Sequence, residues 1–327
     1  MEYELKHPAL LHAILLDGKG GATVLDTQQL AHWSQIEGQI WIHLDYTEQD
    51  TQIWLENNSG LSQSAIDTLL ADKVRPRTTT LDNELIIALR GVNLNVNSDP
   101  EDMVSIRLLF KQNCLISTRK RRLQSVTKLV ERLQQGTGPH TLSDLITELA
   151  DGLTERIGSL VEELDLQLES LEEQLEQQGS KNLREPLAEM RATNARLKRY
   201  LGPQKEALTQ LIGSKSTLLS ADQRHSLFEI NDHLTRHIED LEMFRERAGA
   251  AQDSIMAQLS EQLNERLYLL AIISGLFLPL GFLTGLLGVN LGGIPGADNG
   301  SAFFIFLTAL SGVTGLLVYL LKRKGWL

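Results

Sequence analysis

The sequence contains a single cysteine, Cys114, among its 327 residues. One thiol excludes an intramolecular disulfide framework and leaves no thiolate cluster for a structural zinc site. The first sixteen residues also lack the basic stretch and apolar run of a signal peptide, since Glu2, Glu4, Lys6 and Pro8 occur there. We therefore expect the N-terminus to stay in the cytoplasm.

Charge is nearly absent from residues 267–321, where Asp298 is the single charged side chain. The chain carries a net charge of -11, and the three tail cations Lys322, Arg323 and Lys324 leave residues 1–266 at -13 once Asp298 is counted. An acidic body disfavours nucleic acid as a partner, because phosphate binding needs a basic face. The acidity either concentrates cations by its field or simply keeps the domain soluble.

Two apolar stretches, residues 267–289 and 302–321, each have the roughly 20 residues needed to cross a bilayer core of about 30 Å. A buried hairpin in a soluble core is the alternative, and it requires a partner surface that covers both stretches. Arg266 precedes the first stretch and the basic tail 322–327 follows the second, whereas the connecting segment 290–301 has no Lys or Arg. This distribution predicts a multi-pass membrane protein with both termini in the cytoplasm and 290–301 as an external loop.

Residues 1–135 have the alternating pattern of an α/β domain, which we expect to be cytoplasmic. Short β-branched and aromatic runs predict strands at 12–16, 39–46, 84–93 and 103–118, the last a hairpin turning at 111–113. Residues 47–56 and 62–71 have helical spacing, with Thr47 and Ser62 as N-cap residues.

Residues 136–266 form a predicted helical stalk. Apolar residues recur every three or four positions from Leu142 to Leu175 between Glu and Gln, which is typical of a coiled-coil-like helix. A second helix is predicted from 182 to 212. A third begins near Ser220 and runs into the first apolar stretch, so that some 68 residues of helix would extend roughly 100 Å. The predicted fold class is therefore α+β: an α/β domain, a long helical stalk and two C-terminal transmembrane helices.

One face of the first predicted span carries small and leucine side chains at helical spacing. Two helices cannot enclose a water-filled path, so conduction requires an oligomer. The small residues either line a narrow lumen or pack the first span against the second, and the leucines are either hydrophobic gates or packing residues. The predicted pore-lining residues are Leu267, Leu270, Ser274, Leu278, Gly281 and Gly285, and Gly288 follows on the same face.

The end of this span carries a recognisable motif. The sequence Phe277-Leu278-Pro279-Leu280-Gly281-Phe282 continues to Gly288-Val289-Asn290, and it resembles the first membrane helix of the CorA superfamily of metal ion transporters, whose signature is Gly-x-Asn. The non-acidic continuation Leu291-Gly292-Gly293-Ile294-Pro295-Gly296 is similar to the zinc-transporting ZntB branch, whereas magnesium transporters of the family usually read Gly-Met-Asn followed by an acidic loop. The resemblance also includes the segments Arg75-Pro76-Arg77, Ile116-Ser117-Thr118-Arg119 and Gly136-Thr137-Gly138-Pro139.

The resemblance implies a homopentameric funnel in a bacterial inner membrane, with the first span lining the pore and the second outside it. It also implies zinc uptake coupled to protons, with no permanently bound cofactor and with cadmium, nickel and cobalt as alternative cargo. Gly288, Val289 and Asn290 would form the selectivity mouth. A ring of Asn290 carboxamides would hydrogen-bond the water shell of the ion. The alternative role for Asn290 is a left-handed C-cap of the helix, and it does not exclude the first.

Four polar side chains upstream are further metal-ligand candidates. Glu229, His233 and His237 share one helical face at spacings of four, and Asp253 would contribute to an acidic ring; solvated helix charges are the alternative for all four. No complete phosphate-loop motif occurs, because Gly18-Lys19-Gly20-Gly21 and Gly213-Ser214-Lys215-Ser216 lack the required spacing. We expect a transporter and not an enzyme; the rival hypotheses are a magnesium, cobalt or nickel channel of the same fold, and a membrane-tethered coiled-coil scaffold or sensor.

Overall fold

A computed structural model describes residues 9–81, 84–288 and 299–323. They form a mixed seven-stranded sheet in the order β2-β1-β3-β7-β6-β5-β4, in which β3 and β7 pair in parallel and the other described neighbours are antiparallel. The strands are β1 Leu10–Leu16, β2 Ala22–Val24, β3 Gln39–Asp45, β4 Arg77–Leu81, β5 Glu84–Gly91, β6 Val104–Lys111 and β7 Cys114–Arg119. The helices are α1 Thr27–Ala31, α2 Gln49–Asn58, α3 Gln63–Leu70, α4 Gln124–Gln134, α5 Leu142–Gln178, α6 Arg184–Ile212, α7 Ala221–Gly288 and α8 Ala302–Arg323.

The predicted α/β, long-helix and two-apolar-helix architecture is confirmed. The β6–β7 hairpin turns at Gln112 and Asn113, inside the predicted turn. Ser62 is the N-cap of α3, where its side chain accepts a hydrogen bond from the Ala65 amide. The prediction of Thr47 as an N-cap is wrong, because α2 begins after Glu48 and the Thr47 hydroxyl donates instead to the Asp45 carboxylate at 2.6 Å.

The chain divides into two compact units, residues 1–252 and 253–327. In the first unit the sheet is covered on both faces. Alternate β3 residues Ile40 and Ile42 join Trp54 of α2 and Leu69 of α3 in one core. The intervening Trp41 and His43 are equally buried and lie on the opposite face, because successive side chains of a strand alternate.

The long helices of the first unit are joined by a leucine seam and by ion pairs. All ten apolar positions predicted along α5, from Leu142 to Leu175, are buried, as a seam repeating every three or four residues requires. Arg247 of α7 pairs with Asp165 and Glu172 of α5, each at 2.6 Å. Gly179 ends α5 with φ of 77°, a conformation that favours glycine.

Two glycine loops of the first unit contact each other through their backbones. The Gly138 amide donates to the Gly20 carbonyl at 2.8 Å, and Gly20 adopts φ of 94° in the turn between β1 and β2. A Cβ atom at Gly138 would lie 2.9 Å from the Cα of Leu133 at the end of α4. The glycines therefore permit close approach of main chains, which gives the Gly18-Lys19-Gly20-Gly21 segment a packing role.

Replacing Gly138 by alanine is expected to destabilise the protein by about 1–3 kcal/mol, because the added methyl group forces apart main-chain atoms that cannot rotate away. Gly202→Ala is the matched control: nothing lies within 4 Å of its Cβ position on α6, and alanine favours a helix by up to about 1 kcal/mol. Thermal unfolding of the two variants checks this. Equal melting temperatures for Gly138→Ala and the unaltered protein would contradict the close approach of Gly138 to Leu133.

Candidate ion pathway

The candidate ion pathway starts from the apolar end of α7. The helix continues through Pro279 to Gly288, although a proline offers no amide hydrogen to the carbonyl four residues earlier, that of Gly275. One turn later the Thr284 hydroxyl lies 2.9 Å from the Leu280 carbonyl and 3.1 Å from the Gly281 carbonyl. The described length of α7 is 68 residues, as the sequence predicts.

The predicted pore-lining face lies along this segment, and no part of the described protomer covers it. Leu267, Leu270 and Leu278 are 62%, 60% and 77% exposed. Ser274, Gly281 and Gly285 are exposed as well, and nothing among the described residues lies within 4 Å of a Cβ position at either glycine. Such a surface needs lipid, water or further copies of the chain to cover it.

The predicted selectivity mouth begins at the end of α7. Gly288 is the last residue of the helix, and Val289 and Asn290 lie outside the described residues. The chain is described again from Asn299, whose side chain accepts a hydrogen bond from the Ser301 amide at 3.0 Å just before α8. Helix α8 has no buried residue in the protomer, and Lys322 and Arg323 form its last turn.

Both α7 and α8 contain stretches long and apolar enough to cross a membrane, and neither stretch is buried in the protomer. Large aromatic side chains of α8 are exposed, with Phe303 at 66% and Phe304 at 69%. Exposed apolar surface on this scale is unstable in water, whereas it suits the hydrocarbon core of a bilayer. These properties fit two spanning helices, and a core helix of a soluble protein would be mostly buried.

The metal-ligand candidates upstream of the first span have acidic or histidine neighbours of their own on α7, and they stay a prediction. Glu229 lies 3.5 Å from His225, and His237 lies 3.8 Å from Asp240, while His233 is exposed. The His237 ring packs over Gly158 of α5, and this burial lowers the pKa of His237, with Asp240 opposing the shift. Across the described ranges, no three His, Cys, Asp or Glu side chains are grouped closely enough to hold a metal ion.

Asp253 is exposed on α7, at the first position of the second unit. It has no ion-pair partner among the residues that the structure describes. A role in an acidic ring would therefore require other copies of the chain, and it stays a prediction.

Sequence reasoning missed the basic side chains of the first unit. Residues 119–122 are four consecutive cations, Arg119-Lys120-Arg121-Arg122, in a chain with net charge -11. Lys120 and Arg121 line a cleft together with Arg75, which belongs to the Arg75-Pro76-Arg77 segment. A basic run inside an acidic domain was the sequence signal that could have identified this surface.

Comparison with known proteins gives similarities over nearly the whole chain. Residues 37–323 match the family model described as CorA-like Mg2+ transporter protein. The divalent cation transporter CmaX of Pseudomonas aeruginosa is 38% identical over 322 residues, which covers 97% of each chain. The zinc transport protein ZntB of Pectobacterium carotovorum subsp. carotovorum is 35% identical over 324 residues, covering 99% of this chain and 98% of its own. A structure of full-length CmaX has a TM-score of 0.86 at 37% identity and covers 98% of this chain and 99% of its own.

Cysteine substitution tests which face of α7 contacts water. Ser274→Cys lies on the predicted pore-lining face, and Leu276→Cys lies about 200° around the helix, as its matched control. In membranes, a charged thiol reagent is expected to modify Ser274→Cys at least about tenfold faster, because thiolates form readily only in water. The native thiol adds little background, since burial raises the pKa of Cys114 to about 12. Equal rates at the two positions would contradict the assignment of this face.

Proposed function

This chain belongs to the family of CorA-like Mg2+ transporter proteins, and from that premise we propose that zinc is the divalent cation it carries across the membrane. The proposed assembly is a homopentamer in the bacterial inner membrane, with both termini in the cytoplasm. The proposed driving force is the inward proton gradient.

The uncovered face of α7 is the observation that carries this proposal. Its small and leucine side chains run from Leu267 to Gly285 without cover from the described protomer. One chain supplies two candidate spans, and a water-filled path at membrane depth must be enclosed by protein on all sides. Several α7 helices placed around one axis would satisfy both requirements, with α8 between them and the lipid.

Zinc is favoured over magnesium by the sequence that follows the helix. Gly288-Val289-Asn290 is followed by the uncharged residues 291–297, and ZntB of Pectobacterium carotovorum subsp. carotovorum, a relative at 35% identity, is a zinc transport protein. Residues 267–321 contain no Cys or His, the side chains that zinc prefers as ligands. The proposed site therefore recognises the hydrated ion through the Asn290 carboxamide oxygens, which bind weakly enough for the ion to leave.

A magnesium, cobalt or nickel channel of the same fold is the second candidate function. It is favoured by the family description, which names Mg2+, and by the relative CmaX, which is a divalent cation transporter without a named metal. A site that contacts the water shell discriminates poorly among hydrated divalent ions, because their outer surfaces are similar. Competition of these metals against zinc in one flux assay separates the two functions.

The proposed orientation and proton coupling have different kinds of support. Arg266 before the first span and Lys322 to Lys324 after the second favour cytoplasmic ends, by the positive-inside tendency. Proton coupling is implied by the resemblance to the zinc-transporting branch. No Asp, Glu, His, Lys or Arg occurs in residues 267–289 or 302–321, so any proton would travel with water in the pore.

Purified protein in liposomes is expected to move zinc into a lumen that contains a zinc-sensitive dye, faster when a pH gradient directs protons the same way. Asn290→Ala should lower the initial rate at least about tenfold, equivalent to ~1.4 kcal/mol, because the ring of carboxamide oxygens is lost. Asn299→Ala, the other asparagine of the connecting segment, is the control and should retain the rate.

A wild-type rate no greater than that of empty liposomes would contradict zinc transport. Equal zinc rates for Asn290→Ala and Asn299→Ala, with the oligomer intact in both, would remove the Asn290 carboxamide from the mechanism while leaving transport in place.

A further inference from the structure

A cleft in the first unit has a composition opposite to that of the chain as a whole. The cleft has a volume of about 580 Å³. It lies between the segment after α3, the start of β6, the segment after β7 and one turn of α6. This volume is typical of small-molecule sites, which range over about 300–1,000 Å³. Its cationic lining residues are Lys73, Arg75, Arg90, Lys120, Arg121 and Arg199.

Two carboxylates line the same cleft, and both are already paired. Lys120 lies 3.3 Å from Asp72, and Arg121 lies 2.6 Å from Asp102. No carboxylate of the described residues lies within ion-pair distance of Lys73, Arg75 or Arg199. The lining thus carries four more positive than negative charges, in a chain whose net charge is -11.

Two arginines on the sheet are held in fixed positions, and one of them, Arg90, lines the cleft. Arg90 of β5 donates to the Met103 carbonyl at 2.6 Å and to the Val74 carbonyl at 3.1 Å. Arg107 of β6 lies diagonally across from it, since Ala88 pairs with Arg107 and Arg90 with Ser105. Arg107 is fully buried and donates to the Ala71 carbonyl at the end of α3. Carbonyl partners orient both guanidinium groups without neutralising them.

Some of the donor capacity of these arginines is unused. The Nε of Arg90, and the Nε and one terminal nitrogen of Arg107, are buried and have no hydrogen-bond partner. Burying a cation without an anionic partner is costly, so a protein seldom retains such an arrangement where packing alone is needed. A bound anion would offset that cost for the guanidinium group that lines the cleft.

Aromatic rings complete the cleft walls. The Arg90 guanidinium lies 4.2 Å from the centre of the Tyr200 ring, and the Arg107 guanidinium lies 4.2 Å from the centre of the Tyr46 ring. Both tyrosines line the cleft. Each ring is held in place by a stacked cation, which gives the site rigid walls of the kind that ligand pockets have.

We propose that this cleft binds a small polyvalent phosphate anion, of the nucleoside triphosphate or inorganic polyphosphate class. Guanidinium groups match the geometry of phosphate oxygens, and the surplus of four positive charges suits a ligand with several negative charges. A metal cation would be repelled by the same lining. The inference concerns the first unit and does not depend on which ion the protein carries.

Calorimetric titration of the full-length protein in detergent tests the proposal. The protein is stripped of metals with chelator and dialysed, and the probes are metal-free ATP and sodium tripolyphosphate at low salt. Titration with either probe is expected to give saturable heat. The binding should weaken as the salt concentration rises, because the contacts are ionic. Tighter binding of ATP than of tripolyphosphate would assign the nucleoside class, with the base against a tyrosine ring; equal affinity would assign the phosphate chain as the recognised group.

A matched pair of double variants separates the cleft from the general field of the protein. Lys73→Ala with Arg75→Ala removes two exposed cations of the cleft, and Lys128→Ala with Arg184→Ala removes one exposed lysine and one exposed arginine elsewhere in the first unit. The cleft variant should bind at least about tenfold more weakly, since hydrogen bonds to charged groups are strong, and the control variant should bind as the unaltered protein does.

Absence of saturable heat with both probes up to millimolar concentration would overturn the proposal. Equal weakening by the two double variants would overturn it as well, because it would show attraction to the surface in general. Neither result bears on zinc flux through α7, so failure here is distinguishable from failure of the proposed transport.

Discussion

The structure depends on one constraint: the apolar ends of α7 and α8 have no cover of their own. Along α7, Leu267, Leu270 and Leu278 are each at least 60% exposed, and α8 has no buried residue. Hydrocarbon can cover most of this surface. It cannot cover a polar path, because water at membrane depth must be enclosed by protein. Lipid would cover the apolar surface, and the proposed water-filled path would require several copies of the chain as well.

The first unit holds the part of α7 that precedes Asp253 against α5 and α6. The seam along α5 buries ten apolar side chains from Leu142 to Leu175, and Arg247 ties α7 to Asp165 and Glu172. Asn194 of α6 adds a hydrogen bond to the Leu241 carbonyl of α7 at 3.1 Å. A helix fixed along one side can transmit small shifts of its neighbours, since packed interiors are dense and resist compression. The basic cleft lies in the same unit, with Arg199 of α6 at its wall.

Sequence reasoning succeeded where a regular pattern continued over many residues. The leucines of α5 and the apolar stretches of α7 and α8 repeat over many turns, so their helices were predictable to within a few residues. Helix α4 was missed although Val126, Leu129, Val130 and Leu133 have helical spacing and are buried. The strand β2 has three residues and β4 is the polar run Arg77-Thr78-Thr79-Thr80-Leu81, so neither has a core-facing signal strong enough to identify it alone.

The sites were predictable to different degrees for physical reasons. Residues of the α7 face are close in sequence, and helical geometry alone brings them together. The cations of the cleft come from positions as far apart as Lys73 and Arg199, and only the tertiary packing of α6 against the sheet domain makes them neighbours. For His233 and His237 the spacing of four places both rings on one helix, and the packing of His237 over Gly158 of α5 depends on the tertiary fold, so the sequence alone could not show it.

The most direct test of the account is the mass of the assembly released from a lipid bilayer, measured by native mass spectrometry. Five copies of the 36.5 kDa chain in one complex are expected. A single chain as the dominant species, recovered from membranes in which transport is active, would contradict the claim that several α7 helices enclose the path.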